Sequence, residues 1–110
     1  MTNENNKLPL VESEIRNSLT KVIDPEFDMD IINLGLIYEI IIDGRRVEVD
    51  ITMTDPACPI IEQIVAAVRL TIHKDFGLAL EQIKINVVWS PRWTWEMMTD
   101  EAKIAMGFSV

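Results

Sequence analysis

Hydrophobic positions along this 110-residue chain follow two periods, and the switches between them outline its elements. From Pro9 to Ile23 the apolar residues Val11, Ile15, Leu19 and Val22 stand at helical spacings and mark one face of a helix. The residue before a proline is pushed out of the helical region, so Asp24-Pro25 predicts the end of that helix. "DPEFDMDIINLG" (24–35) has apolar anchors but no period and reads as an acidic loop. Leu36 to Ile42 and Arg45 to Thr54 then read as two strands around Asp43-Gly44, which predicts a two-residue type I′ hairpin. Pairing Ile42 with Arg45 sets Ile40 against Val47, Tyr38 against Val49 and Leu36 against Ile51. Arg46, Glu48 and Asp50 then share the opposite face, and Glu39 meets Glu48 as an unfavourable like-charge pair.

Ile60, Ile61, Ile64, Val65, Val68 and Ile72 form the apolar stripe of a second helix over 59–74, with Gly77 in the loop beyond it. Gln82 to Trp89 alternates again, with Ile83, Ile85, Val87 and Trp89 facing one way until "SPRW" breaks the strand. A last helix is expected from Thr94 or Thr99 to Met106, closed by Gly107 with Phe108 after it. The order α-β-β-α-β-α predicts an α+β two-layer sandwich, a three-stranded sheet with helices on one side. The crossover from second to third strand is expected to be right-handed. Placing the third strand beside the first makes it a split β-α-β crossover. Residues 1–8 are polar and expected to be a disordered N-terminal tail, leaving 9–110 as a single domain with one core.

Charge narrows the partners. A formal charge of -8 argues against nucleic acid or an anionic membrane, both of which need basic patches. No apolar run approaches the ~20 residues of a membrane span, and "MTNENNK" lacks the apolar region of a signal peptide. The one cysteine, Cys58, excludes an intrachain disulfide, so a reducing, cytoplasmic setting is expected.

Cys58 stands between Pro56 and Pro59 in "TMTDPACP". Pro59 suits the first helical position, which makes Cys58 the expected N-cap of the second helix. There the helix dipole favours a thiolate, while Asp55 opposes it by like charge. The alternative is a buried, inert thiol acting as a small hydrophobe. His73 lies fifteen residues along the same helix, ~22 Å away at ~1.5 Å per residue. It can neither share an ion with Cys58 nor serve as its catalytic base, and belongs at the helix C-terminus instead. Thiolate-ligated metal therefore needs a second subunit, a partner protein or a small thiol. Asp24, Glu26, Asp28 and Asp30 alternate as in the first half of a calcium loop. Met29 and Gly35 stand where glycine and glutamate are required, so a helix-terminating turn built on Asp24 is favoured over a calcium site. Trp89, Trp93 and Trp95 around Pro91 read as a core edge, with a partner-binding surface as the alternative.

Together "VIDPEFDMDIINLGLIYEI", "ITMTDPACP" and "VVWSPRWTWEMM" resemble the iron–sulfur cluster assembly factor family. That family includes SufT-like and PaaD-like bacterial proteins and eukaryotic cytosolic targeting factors. The resemblance runs from about Val11 to Phe108. The family's D-P-E falls on Asp24, Pro25 and Glu26, its following Asn or Ser on Asp30, and its D-L-G-L on 33–36. T-x-P-x-C-P falls on Thr54, Pro56, Cys58 and Pro59, and W-D-P-P-W on 89–93. Asp55 stands where a small polar residue is frequent, Ser90 replaces an acid and Arg92 a proline. PaaD-like proteins generally continue into a cysteine-bearing extension absent before Val110, which favours the SufT-like branch.

The resemblance implies a helper in iron–sulfur protein maturation rather than an enzyme. No base, oxyanion motif or second cysteine accompanies Cys58, which leaves a lone-thiolate transferase as the weakest reading. It implies Cys58 as a cluster ligand shared with a second subunit or partner. Asp24, Glu26, Thr54, Asp55 and Pro59 are the expected pocket, and Trp89 and Trp93 the expected partner-binding residues. Its cargo would be a labile, transient [2Fe–2S] or [4Fe–4S] cluster not required for folding. Expected partners are assembly proteins, apo targets and a second copy in a homodimer. The competing expectation is a non-enzymatic adaptor in which Cys58 is only packed.

Overall fold

A computed structural model describes residues 9–56 and 59–108. Helix α1 (Glu12–Leu19) buries Ile15 and Leu19 completely, as its spacing predicts, while Val11 caps it from an exposed position. It stops short of Ile23. The N–H groups of Thr20, Lys21 and Val22 each reach back three residues, and the Thr20 hydroxyl donates to the Asn17 carbonyl (2.6 Å), closing the last turn.

The acidic segment is not a plain loop. Ile23–Asp24 (β1) and Met29–Asp30 (β2) pair antiparallel around a turn whose Asp28 takes a positive φ of 51°. Asp30 then caps the short helix α2 (Ile31–Leu34): its Oδ2 accepts from the N–H groups of Ile32 (3.1 Å) and Asn33 (2.9 Å). Gly35, at φ 78°, ends α2 in the left-handed region. Aperiodicity in the sequence thus reflects elements too short to show a period.

Strands β3 (Ile37–Asp43) and β4 (Arg46–Ile51) form the expected hairpin in a different register. Asp43 pairs with Arg46, Ile42 with Val47 and Ile40 with Val49, so the loop residues are Gly44 and Arg45. Gly44 has a φ of 59° and Arg45 is not among the residues with positive φ, which excludes a type I′ turn. The shift is two residues, and side chains alternate with a period of two, so the expected apolar face survives. Val47, Val49 and Ile51 are buried. A bulge at Tyr38 brings Ile37 opposite Ile51, and Glu39 opposes Asp50 rather than Glu48.

After α3 (Ile61–Phe76), strand β5 (Ile83–Val87) joins β4 in parallel, giving the order β3-β4-β5. The third strand of the sheet therefore lies beside the second, and the crossover is not split. In the central position β4 buries Val47, Val49 and Ile51 more completely than β5 buries Ile83, Ile85 and Val87. Ile64, Val68 and Ile72 of α3 meet that face, and α1 packs alongside. Asn86 on β5 donates its amide to Glu48 (2.6 Å) and Asp50 (2.9 Å), tying together acids on the outer face. Helix α4 (Asp100–Ala105) is capped by Thr99 and closes as a Schellman motif: Phe108 N–H to the Lys103 carbonyl (2.8 Å), Gly107 N–H to that of Ile104 (3.0 Å). Phe108 stacks on Trp95, with ring centroids 4.7 Å apart.

Candidate functional site

Trp93 joins the three motif segments. Its indole N–H donates to the Leu34 carbonyl (2.8 Å), at the end of α2, and its ring lies 6.3 Å from that of Phe27 in the β1–β2 turn. Its other face lines a cavity of about 270 Å³. Thr52, Met53, Thr54 and Pro56 form one wall of this cavity, on the chain leaving β4. Trp89 and Arg92 join Trp93 on the other wall, on the chain leaving β5. Parallel pairing of β4 and β5 sends both chains off the same end of the sheet.

Two residues hold the 89–98 segment in place. Tyr38, pushed out of register by the bulge, donates its hydroxyl to the Pro91 carbonyl (2.8 Å), with the Met97 sulfur 3.0 Å away. Burial pushes the Tyr38 pKa above its ordinary value, and the Thr52 hydroxyl beside it offsets part of that rise. Gly35 lies directly under the Met97 backbone, where a Cβ would overlap the Met97 carbonyl. Glycine is thus required there both by φ and by fit. The Thr99 hydroxyl also donates to the Asn33 side-chain oxygen (2.6 Å), linking the caps of α2 and α4. Neither Tyr38 nor Gly35 was distinguishable as a support from pattern alone, because a bulge leaves no mark on strand alternation.

The expected pocket residues divide. Of them Thr54 lines the cavity, together with Trp89 and Trp93, the residues expected to bind partners, whereas Asp24, Glu26, Asp55 and Pro59 are not part of its lining. Asp24 is fully buried. Its Oδ1 accepts the Glu26 N–H (2.9 Å) and its backbone carbonyl accepts from Phe27 (3.3 Å), forming the turn expected of it. Its Oδ2 is buried without a partner. Burial raises the Asp24 pKa; the Glu26 N–H works against the rise and the Glu26 carboxylate adds to it.

Cys58 lies outside the described residues. Helix α3 begins at Ile61 with Ile60 as its N-cap and no side-chain capping bond, so neither the N-cap position of Cys58 nor the first-turn position of Pro59 is met. Ile60 and Ile61 start the helix, both packed against the core. His73 sits in the last turn of α3 as expected, its Nδ1 2.6 Å from the Leu78 carbonyl. Among the described residues no three His, Cys, Asp or Glu side chains are grouped to hold a metal ion.

The model of the family described as "Iron-sulfur cluster assembly protein" matches residues 12–76. The chain is 44% identical over 89 residues to the "Fe-S protein maturation auxiliary factor SufT" of Staphylococcus aureus, covering 80% of this chain and 99% of that protein. It is 34% identical over 101 residues to the "Fe-S protein maturation auxiliary factor YitW" of Bacillus subtilis, 88% of this chain and 94% of the relative. The crystal structure of a domain of unknown function, DUF59, from Bacillus anthracis superposes with a TM-score of 0.79 at 37% identity, covering 89% of this chain and 92% of the other. On this match and these relatives, the chain belongs to the iron–sulfur cluster assembly protein family.

Proposed function

We propose that this protein is a cytoplasmic accessory factor in iron–sulfur protein maturation, holding a labile cluster through Cys58 and passing it to apo targets. The observation that carries this reading is the convergence on Trp93: the 24–35 turn, the strand exit leading to Cys58 and the 89–98 segment meet at one end of the sheet. These are the three segments that carry the family motifs. With one soft ligand per chain, the remaining iron ligands come from a second copy, a small thiol or the target itself. Incomplete ligation makes the cluster easy to lose, which is what delivery requires.

Anaerobic reconstitution with iron and sulfide, followed by visible absorption, tests this. The wild type should load a cluster and Cys58→Ser should not; full loading of Cys58→Ser rules the reading out. A second reading is supported by the half-exposed Trp89 beside the cavity, the composition of a protein-binding hot spot. On it the protein is an adaptor recruiting assembly proteins or apo targets. Trp93→Ala would then lose partners that Cys58→Ser keeps.

A further inference from the structure

The two edges of the three-stranded sheet differ in how they are closed. The β3 edge carries a bulge at Tyr38 and two exposed acids, Glu39 and Asp43, features that blunt an edge against further pairing. The β5 edge lacks them: its register with β4 runs unbroken from Val47↔Ile83 to Ile51↔Val87, and Lys84 is its one charge. The Val88 N–H donates to the Ile51 carbonyl (2.8 Å), which fixes the backbone groups that remain open. Backbone groups alternate sides along a strand, so Lys84, Asn86 and Val88 turn theirs towards β4, while Ile83, Ile85 and Val87 turn theirs outwards. The Ile83 N–H bonds to the Leu80 carbonyl, which leaves the Ile83 carbonyl and both groups of Ile85 and Val87 facing out. Among the described residues no strand lies beyond them. The Ile85 and Val87 side chains are only partly covered, unlike Val49 and Ile51 beside them. On the outer face Lys84 is exposed and has no ion pair or hydrogen bond among the described residues, while Glu48 beside it accepts from Asn86.

We propose that the β5 edge pairs antiparallel with the β5 edge of a second copy of this chain, joining two three-stranded sheets into one. With Ile85 opposite Ile85 of the partner subunit, the two exchange both backbone bonds, and each Val87 N–H donates to the Ile83 carbonyl across the interface. On the inner face this register covers Ile85 and Val87. On the outer face it sets Lys84 opposite Asn86 of the partner subunit, whose amide gathers a glutamate and an aspartate (2.6 and 2.9 Å), an acidic pair within reach of the lysine. A slip of two residues one way sets Lys84 against its own equivalent, and the other way sets it against Val88, so charge selects the register. A slip of one residue puts the open N–H groups out of phase. At a formal charge of -8 the chain repels its copy, and the two exchanged lysines counter that repulsion where the edges meet. The pairing stands whether or not a cluster is carried.

The test uses the full chain without iron and with a reducing agent, so that neither a cluster nor a disulfide links the copies. Sedimentation equilibrium should show the mass rising from one chain to two with concentration. Amide hydrogen exchange should find the Ile85 and Val87 N–H groups protected in the dimer and fast after dilution, while those of Asn86 and Val88, turned towards β4, stay protected at both concentrations. Lys84→Glu, at an exposed position, should keep the fold and weaken dimerisation about tenfold, since attraction becomes repulsion on both sides of the two-fold axis. Ile85→Pro should abolish dimerisation: its N–H faces away from β4, the strand position where proline leaves the sheet's own ladder intact. Should that variant fail to fold, Lys84→Glu carries the test. The proposal is overturned by the mass of one chain at every concentration up to millimolar, or by a dimer whose Ile85 and Val87 amides exchange freely. Dimerisation of Lys84→Glu at wild-type strength overturns it as well. Protection that survives dilution and vanishes when residues 1–8 are deleted assigns the edge to the chain's own tail, and likewise overturns it.

Discussion

The two ends of this sheet are built in different ways. At the hairpin end, Val47, Val49, Val68 and Ile72 are buried by simple alternation and helical spacing, and a two-residue register change leaves the core intact. At the other end single atoms decide the outcome: a glycine without room for a Cβ, a bulged tyrosine bonded to one carbonyl, an indole bonded to another. The hairpin end tolerates error because burial is non-directional. The motif end does not, because hydrogen bonds and close approaches have one geometry. The family motifs lie where the chain is least redundant.

Substitutions separate these two modes. The largest effect is expected from Ile72→Ala, at a fully buried position on α3 near the hairpin: a loss of about 3 kcal/mol in urea unfolding, from lost transfer energy and the cavity left behind. Because the loss arises from packing, the folded fraction should keep the Tyr38 and Trp93 contacts. Gly35→Ala should cost about 2–3 kcal/mol, combining left-handed strain with displacement of Met97. Unlike Ile72→Ala it should also shift the Trp93 indole signal, since Leu34, whose carbonyl holds that indole, precedes Gly35. An unchanged indole signal would break the contrast between the two ends.

Smaller effects come from two aspartates with opposite signs. Asp75 on α3 accepts from Lys21 (2.6 Å) and from the Ser18 hydroxyl, and these contacts hold its pKa below the ordinary 3.8. Its contribution is present above pH 3.8 and disappears as pH falls through its lower folded value. Lys21 is largely exposed, so Asp75→Asn should cost only about 1 kcal/mol at neutral pH. Asp24 is the reverse case. Its folded pKa lies above 3.8, so its contribution is full below that pH and is lost as pH rises through the folded value. At neutral pH the buried charge destabilises, and Asp24→Asn, which keeps an acceptor for the Glu26 N–H, should raise the urea midpoint slightly. A drop at neutral pH would mean that the Asp24 charge is used rather than merely tolerated.

What the sequence reveals follows the same division. Helix faces, the alternation of β4 and β5, the Gly77 and Gly107 stops and the two-layer architecture are all legible, because periodic burial leaves a periodic trace. The β1–β2 pair, the Asp30 cap and the Tyr38 bulge are not, being one or two residues each. The strand order was equally hidden: Ile83, Ile85 and Val87 suit either edge, and the sheet places them beside β4. Of the candidate site, Thr54, Trp89 and Trp93 were found through their motifs and meet in one cavity. Arg92, noted only as a departure from the motif, also lines that cavity, and the Tyr38 contact to Pro91 was not foreseen because a strand tyrosine carries no motif of its own.

The most direct test of the central claim, that a cluster is completed by ligands from outside one chain, is the native mass of the loaded protein. Loaded by anaerobic reconstitution with and without glutathione, it should carry each cluster on two chains or on one chain with bound thiol. A cluster held by a single chain with no added ligand, at full occupancy, would contradict it.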